Sequence, residues 1–149
     1  MTAKFTDKDL GWTRVMKGAA ALASAPSVSV GFYDEHNATK ASANEYGSKS
    51  TPERPFMRTA LDANANKYFD IFEDGFAEGV DGDTRAGTAS ALEVGIEARN
   101  DIIESIQSGA WTPNAPSTVK AKGSSKPLVD TGELQRAVNF KVGDDEGGE

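Results

Sequence analysis

Residues 83–108, DTRAGTASALEVGIEARNDIIESIQS, decide the fold. Leu92, Ile96, Ile103 and Ile106 recur at helical spacing and give this segment a bulky apolar face. Ala91, Gly95 and Ala98 give it a second, flatter face, against which another backbone can come close. Asp83 or Thr84 is placed to cap the start, because a side-chain oxygen there accepts from a free backbone N–H. Gly109 suits the left-handed position that follows a helix end. Upstream, Leu61, Ala65, Tyr68, Phe69, Phe72 and Phe76 also fall at helical spacing. They predict a long helix that starts near Phe56 or Arg58, carries a core-facing aromatic stripe, and ends at Gly79-Val-Asp-Gly82. So short a connection favours an antiparallel helical hairpin.

On the N-terminal side, Asp7 to Ala23 reads as a helix, with Leu10, Val15, Met16, Ala19, Leu22 and Ala23 near one face. Gly11 and Gly18 weaken that pattern. Ser27 to Tyr33 alternates, with Val28, Val30 and Phe32 on one side, as a half-buried strand does. Asp34-Glu-His-Asn37 reads as a turn, Ala38 to Tyr46 as a weaker strand, and Gly47 to Pro55 as a polar loop. On the C-terminal side, Trp111 to Ser117 is a loop. Pro116 fits the first position of a short helix through Lys122. Asp130-Thr-Gly-Glu133 has capping-box spacing ahead of another short helix, to about Ala137. Val138, Phe140 and Val142 then alternate as a last strand.

Strands and helices are segregated, which is the α+β pattern. The expectation is one domain over residues 1–142: a small antiparallel sheet of about three strands packed on a two-helix antiparallel hairpin, plus short helices. Residues 143–149 hold four acids and three glycines and are expected to be a flexible acidic tail.

A chain of 149 residues can bury a core without a disulfide or metal staple, and it contains no cysteine. Its net charge of −7 is uneven. Residues 68–104 carry ten acids against two arginines, and residues 112–142 carry five bases against two acids. The blend argues against general attraction to nucleic acid, which needs a basic face. It suits a subunit with one acidic and one basic surface. No apolar run follows the first lysine, so a signal peptide is not expected. No stretch approaches the roughly 18 apolar residues of a membrane span.

The chemical signals are sparse. His36 is the only histidine and sits among acids in a polar segment, where a solvated role is expected and a Ser-His-Asp triad is not. Asp81-Gly-Asp83-Thr-Arg85 starts like a calcium loop. The match then fails at Arg85, Ala86 and Leu92, where an oxygen ligand, glycine and glutamate are required. Gly123-Ser-Ser-Lys126 lacks the spacing of a phosphate loop. Asp70 with Asp74 and Glu97 with Asp101 lie one helical turn apart, as a solvated helix face commonly has them. No cofactor or metal motif emerges, and no enzyme activity is expected. Lys120, Lys122 and Lys126 form a basic stretch without interleaved aromatic residues for base stacking.

Two segments resemble a known family. The first is Asn44-Glu-Tyr-Gly47 with Pro52-Glu-Arg-Pro-Phe-Met-Arg58 and Ala60-Leu61. The second is Gly109-Ala-Trp-Thr-Pro113, Ser117-Thr-Val-Lys-Ala-Lys-Gly-Ser124 and Lys126-Pro-Leu-Val-Asp-Thr-Gly-Glu-Leu-Gln-Arg136. Together, over about residues 28–142, they resemble the small tail-completion, neck or virion-morphogenesis proteins of long-tailed bacteriophages. The resemblance implies a structural virion protein at the head–tail junction or tail end, assembled in the host cytoplasm as a ring of six or twelve copies. Its implied neighbours are neck, tail-tube or terminator proteins, with DNA passing through the lumen without sequence-specific binding. Phe56 lies between Arg54 and Arg58, a composition that suits an interface anchor. It equally suits a plug in the chain's own core, with the arginines paired to local acids. Arg54, Phe56, Arg58, Trp111, Lys120, Lys122 and Lys126 are therefore the candidate interface residues. The alternative is a tail assembly chaperone or soluble interaction module that leaves before the particle is finished.

Overall fold

The computed structural model describes residues 11–123, 125–128 and 132–143. Among these residues the chain forms α1 (Trp12–Ala23), β1 (Val28–Phe32), α2 (Glu35–Glu45), α3 (Phe56–Ala63), α4 (Ala65–Val80), α5 (Ala86–Gln107), α6 (Pro116–Lys122), α7 (Glu133–Ala137) and β2 (Val138–Val142). The class is α+β, with a two-stranded antiparallel sheet among the described residues in place of the expected three strands. The register pairs Val28 with Val142, Val30 with Phe140 and Phe32 with Val138. Both apolar sets thus share one face of the sheet, because alternate residues of a strand point the same way.

The missing strand is a helix. Residues 38–46 were expected to be extended, but α2 runs through them. Asp34 forms its cap: Asn37 N–H donates to Asp34 Oδ1 at 2.8 Å. The segment read as a turn is therefore cap and first helical turn. Asn37, Ala41 and Glu45 form the buried side of α2 at i, i+4 and i+8. Two of those three are polar, so the helical period carries little hydrophobic signal.

The hairpin is also revised. The long helix expected over residues 56–79 is two helices, divided at Asn64, whose backbone leaves helical geometry. The Asn64 side chain donates to Ala60 O at 2.9 Å and so competes with the helical ladder. α5 is packed by α1, α3 and α4 as well as by the sheet, so the helical layer is not a two-helix hairpin.

The two halves of α5 bury different chemistry. Its C-terminal half brings Ile102 and Ile106 to a core with Phe56, Ala60, Ala41, Leu134 and Val138. Phe32 meets Phe56 edge to face, with ring centres 6.2 Å apart. Its N-terminal half is packed through small residues. A methyl placed on Gly87 would lie 2.5 Å from Ala21 O of α1, and one on Gly95 would collide with the Phe140 ring. α1 crosses α4 the same way, since a methyl on Gly79 would lie 3.3 Å from Gly18 Cα. The glycine that weakened the first helix in the sequence is its only buried residue.

This packing leaves apolar side chains outside. α4 turns Gly75 toward Ser90 of α5 and Gly79 toward α1, so its aromatic stripe is split: Tyr68 and Phe72 are half-buried, and the rest faces out. Phe69 is 70% exposed and Phe76 is also exposed, contrary to the expected core stripe. On α5 the flat face is buried, whereas Leu92 and Ile96 of the bulky face are exposed. Trp12, Val15 and Met16 of α1 are exposed too. The start of the expected first helix, the Asp130 half of the capping box and the acidic tail beyond Gly143 lie outside the described residues.

Gly18→Ala tests the crossing. The new methyl would sit 2.6 Å from Val80 N, a backbone atom that cannot swing away. Overpacking of this kind costs about 1–3 kcal/mol, against a helix-propensity gain of about 1 kcal/mol. Urea denaturation should show net destabilisation; a variant as stable as the parent would mean that α1 does not sit on α4 this closely.

Candidate interface residues and the Arg54 junction

The candidate residues separate into two groups. Phe56 is fully buried, and Arg54 is only 4% exposed. Neither reaches the surface as an interface anchor would, so the core-plug reading describes Phe56. Arg54 instead joins two loops that are far apart in sequence. Its Nε donates to Thr112 O at 2.8 Å and its Nη1 to Asn44 Oδ1 at 2.8 Å. Its Nη2 reaches Asn114 Oδ1 at 3.1 Å and Pro113 O at 3.4 Å. The planar fork suits this task, because one side chain satisfies acceptors in several directions. Burial pulls the guanidinium below its ordinary pKa.

Arg58 is half exposed and paired with two acids, Glu45 at 3.2 Å and Glu53 at 2.7 Å. These hydrogen bonds, Glu53 first, raise its pKa. It also lies over the exposed Tyr46 ring, 5.6 Å from its centre. Glu45, a residue the sequence did not single out as a site, is buried at the start of α3. It accepts from Met57 N–H at 2.9 Å and Arg58 N–H at 3.0 Å, and so caps that helix from a distance. The signal was present only as part of the Asn44-Glu-Tyr-Gly47 motif; its partners lie more than ten residues downstream.

Trp111 packs against the core and donates from Nε1 to Ser105 O at 2.8 Å, folding the loop back on the end of α5. Lys120 is exposed on α6, and Lys126 is exposed in the following turn, where its carbonyl accepts from Asn114. Lys122 ends α6. The structure thus brings Arg54, Phe56, Arg58 and Trp111 around one junction, while Lys120 is exposed on α6 and Lys126, also exposed, meets the junction through its carbonyl at Asn114.

The other polar residues pair locally. His36 is exposed, 3.7 Å from Glu133, and Lys40 Nζ donates to Glu133 at 3.0 Å. These contacts tie α2 to α7. Glu97 and Asp101 are bridged by Lys67 at 3.1 and 2.7 Å. Tyr68 donates to Asp101 at 2.6 Å. Burial of Tyr68, reinforced by that bond, raises its pKa well above the phenol range. Partial burial opposes the charge on Lys67, but its bonds to Asp101 and Glu97 outweigh this and raise its pKa. Asp81 pairs with Arg14, and Asp83 accepts from Arg85 N–H at 2.8 Å. No helix among the described residues is long and apolar enough to cross a membrane. Comparison with protein families, with curated proteins and with solved structures returned no match.

Arg54→Ala should lower the unfolding free energy by about 1–3 kcal/mol, because it removes the bonds that tie Asn44 of α2 to the loop at residues 112–114. Arg54→Lys should recover only part of that, since an ammonium cannot span the same fork. Equal stability of all three proteins in guanidinium melts would remove the junction from the account of the fold.

Acid should loosen the α2 contacts in a defined direction. The Lys40 hydrogen bond holds Glu133 below the usual carboxylate range, and the Asn37 backbone N–H does the same for Asp34. A carboxylate with a depressed folded pKa stabilises above its unfolded value and loses that contribution as pH falls through the folded one. Urea midpoints should therefore drop as pH falls below about 4. The drop should be shallower in Lys40→Gln; identical slopes would rule out the pair as a contributor.

Proposed function

We propose that this chain is a non-enzymatic structural protein of a tailed bacteriophage virion, working as a ring subunit at the neck or tail end. The reading is carried by the residues of the resemblance. Asn44, Glu45, Arg54, Arg58 and Trp111 come from two separated segments, yet they meet and bond chiefly to main-chain and neighbouring side-chain atoms. Such residues serve a shared scaffold rather than a reaction. The exposed aromatic residues add support. Trp12 is 69% exposed and Phe69 is 70% exposed, and large apolar groups left in water favour burial against another protein.

A ring requires two different complementary faces on each subunit. The acid-rich α4 and α5 offer one face, and the basic segment with Lys120, Lys122 and Lys126 offers the other. DNA passing an acidic lumen would slide without sticking. Neighbouring neck, tail-tube or terminator proteins would cover the ends of the ring.

Replacing Lys120, Lys122 and Lys126 together by glutamate should abolish or weaken ring formation while leaving the subunit folded. Light scattering with negative-stain microscopy reads the outcome. Rings of unchanged size and yield would exclude the basic segment as a ring face. Mass spectrometry of purified virions tests the structural role itself: the protein should be present in fixed stoichiometry. Its absence from finished particles would favour an assembly chaperone.

A further inference from the structure

A cavity of about 260 Å³ opens where α2, the loop after it and the start of α6 meet. Lys40, Ser50, Thr51, Asn114 and Thr118 line it beside Arg54. The charge balance of this wall is unusual. A guanidinium carries five N–H donors in a fixed fork. Arg54 makes four hydrogen bonds, and all four acceptors are neutral oxygens. Among the described residues, no carboxylate pairs with it. A cation drawn out of water and met only by neutral dipoles keeps its charge uncompensated, which is costly. Its depressed pKa has burial as its cause, with no opposing charge. Lys40 brings a second cation to the same wall; its partner Glu133 does not line the cavity. The remaining polar side chains are three hydroxyls, able to donate, and the amides of Asn44 and Asn114, which already accept from Arg54.

We infer that this cavity is an oxyanion site that takes a carboxylate or phosphate group on Arg54 and Lys40. An anion supplies the missing counter-charge and accepts from the Arg54 N–H that the four bonds leave over, from Lys40 and from the hydroxyls of the wall. The arginine fork and the lysine ammonium suit such a group, because hydrogen bonds between ionised partners are the strong ones. The group arrives either as a free anion or as an acidic side chain of another protein.

The test titrates the full chain with sodium phosphate and, separately, with sodium acetate, chloride holding the ionic strength constant. The Arg54 Nε–H resonance and the thermal midpoint are followed. A saturable shift of that resonance, with a rise in midpoint, is the expected result. Saturation by both anions marks a site that reads carboxylates, as an acidic side chain would present. Saturation by phosphate alone marks a site for the tetrahedral anion. Lys40→Gln should weaken binding about tenfold, the worth of one charged hydrogen bond. Glu133→Gln breaks the same ion pair but keeps the lysine, and should bind at least as tightly as the parent. A stationary Arg54 resonance with both anions would overturn the assignment. So would equal responses in the parent and Lys40→Gln, or an equal loss in both variants.

Discussion

Close approach along one face of α5 is the constraint on which the other elements depend. Gly87, Ala91, Gly95 and Ala98 project almost nothing from that face, so the α1 backbone reaches the helix at Gly87 and the Phe140 ring of β2 seats on Gly95. Further along, the buried residues enlarge to Ile102 and Ile106, and α5 becomes the wall of a conventional apolar core. Packing at interior density rewards both solutions, because a gap of even half an ångström forfeits dispersion energy. The difference lies in what remains outside. Where glycine meets glycine, the large side chains of the same helices have no room in the contact and turn to solvent.

The loops obey a different rule. The segments 47–55 and 109–115 have no regular partners for their main-chain groups, and a buried carbonyl without a donor is costly. Arg54 answers this for the second loop, and Glu45 answers it for the free N–H groups that open α3. Trp111 then fastens the loop to the end of α5. One cation, one anion and one indole thus hold two long connections against the core. The same arrangement leaves a buried positive charge facing a polar cavity.

The proposed role joins these observations. A subunit with exposed apolar side chains on α1, α4 and α5, and with a net basic segment on and after α6, has faces of different character. In the proposed ring, such faces would meet by head-to-tail contacts.

The sequence by itself determined the elements whose period and breakers agree. α5, a helix start near Phe56 or Arg58, α6 behind Pro116 and the strand at Val28 were legible, since spacing, prolines and glycines point one way; the cap expected at Asp83 or Thr84 was not, because α5 starts after Arg85 without a side-chain cap. The α+β class followed from their order. Tertiary structure decided the rest. α2 is a helix because Asp34 caps it and Glu45 is anchored by a helix start that lies more than ten residues downstream. The helix expected from residue 56 breaks at Asn64, whose backbone leaves helical geometry and whose side-chain amide shares the Ala60 carbonyl with its own backbone N–H. Periodicity showed the aromatic stripe of α4 but not its orientation, because a hydrophobic pattern names a face without naming its neighbour. Glycine packing assigned that neighbour to the opposite choice, burying Gly75 and leaving Phe69 in water. Arg54 was visible in a motif, but the sequence did not show that its partners are carbonyls almost sixty residues away. Long-range hydrogen bonds leave no local period to read.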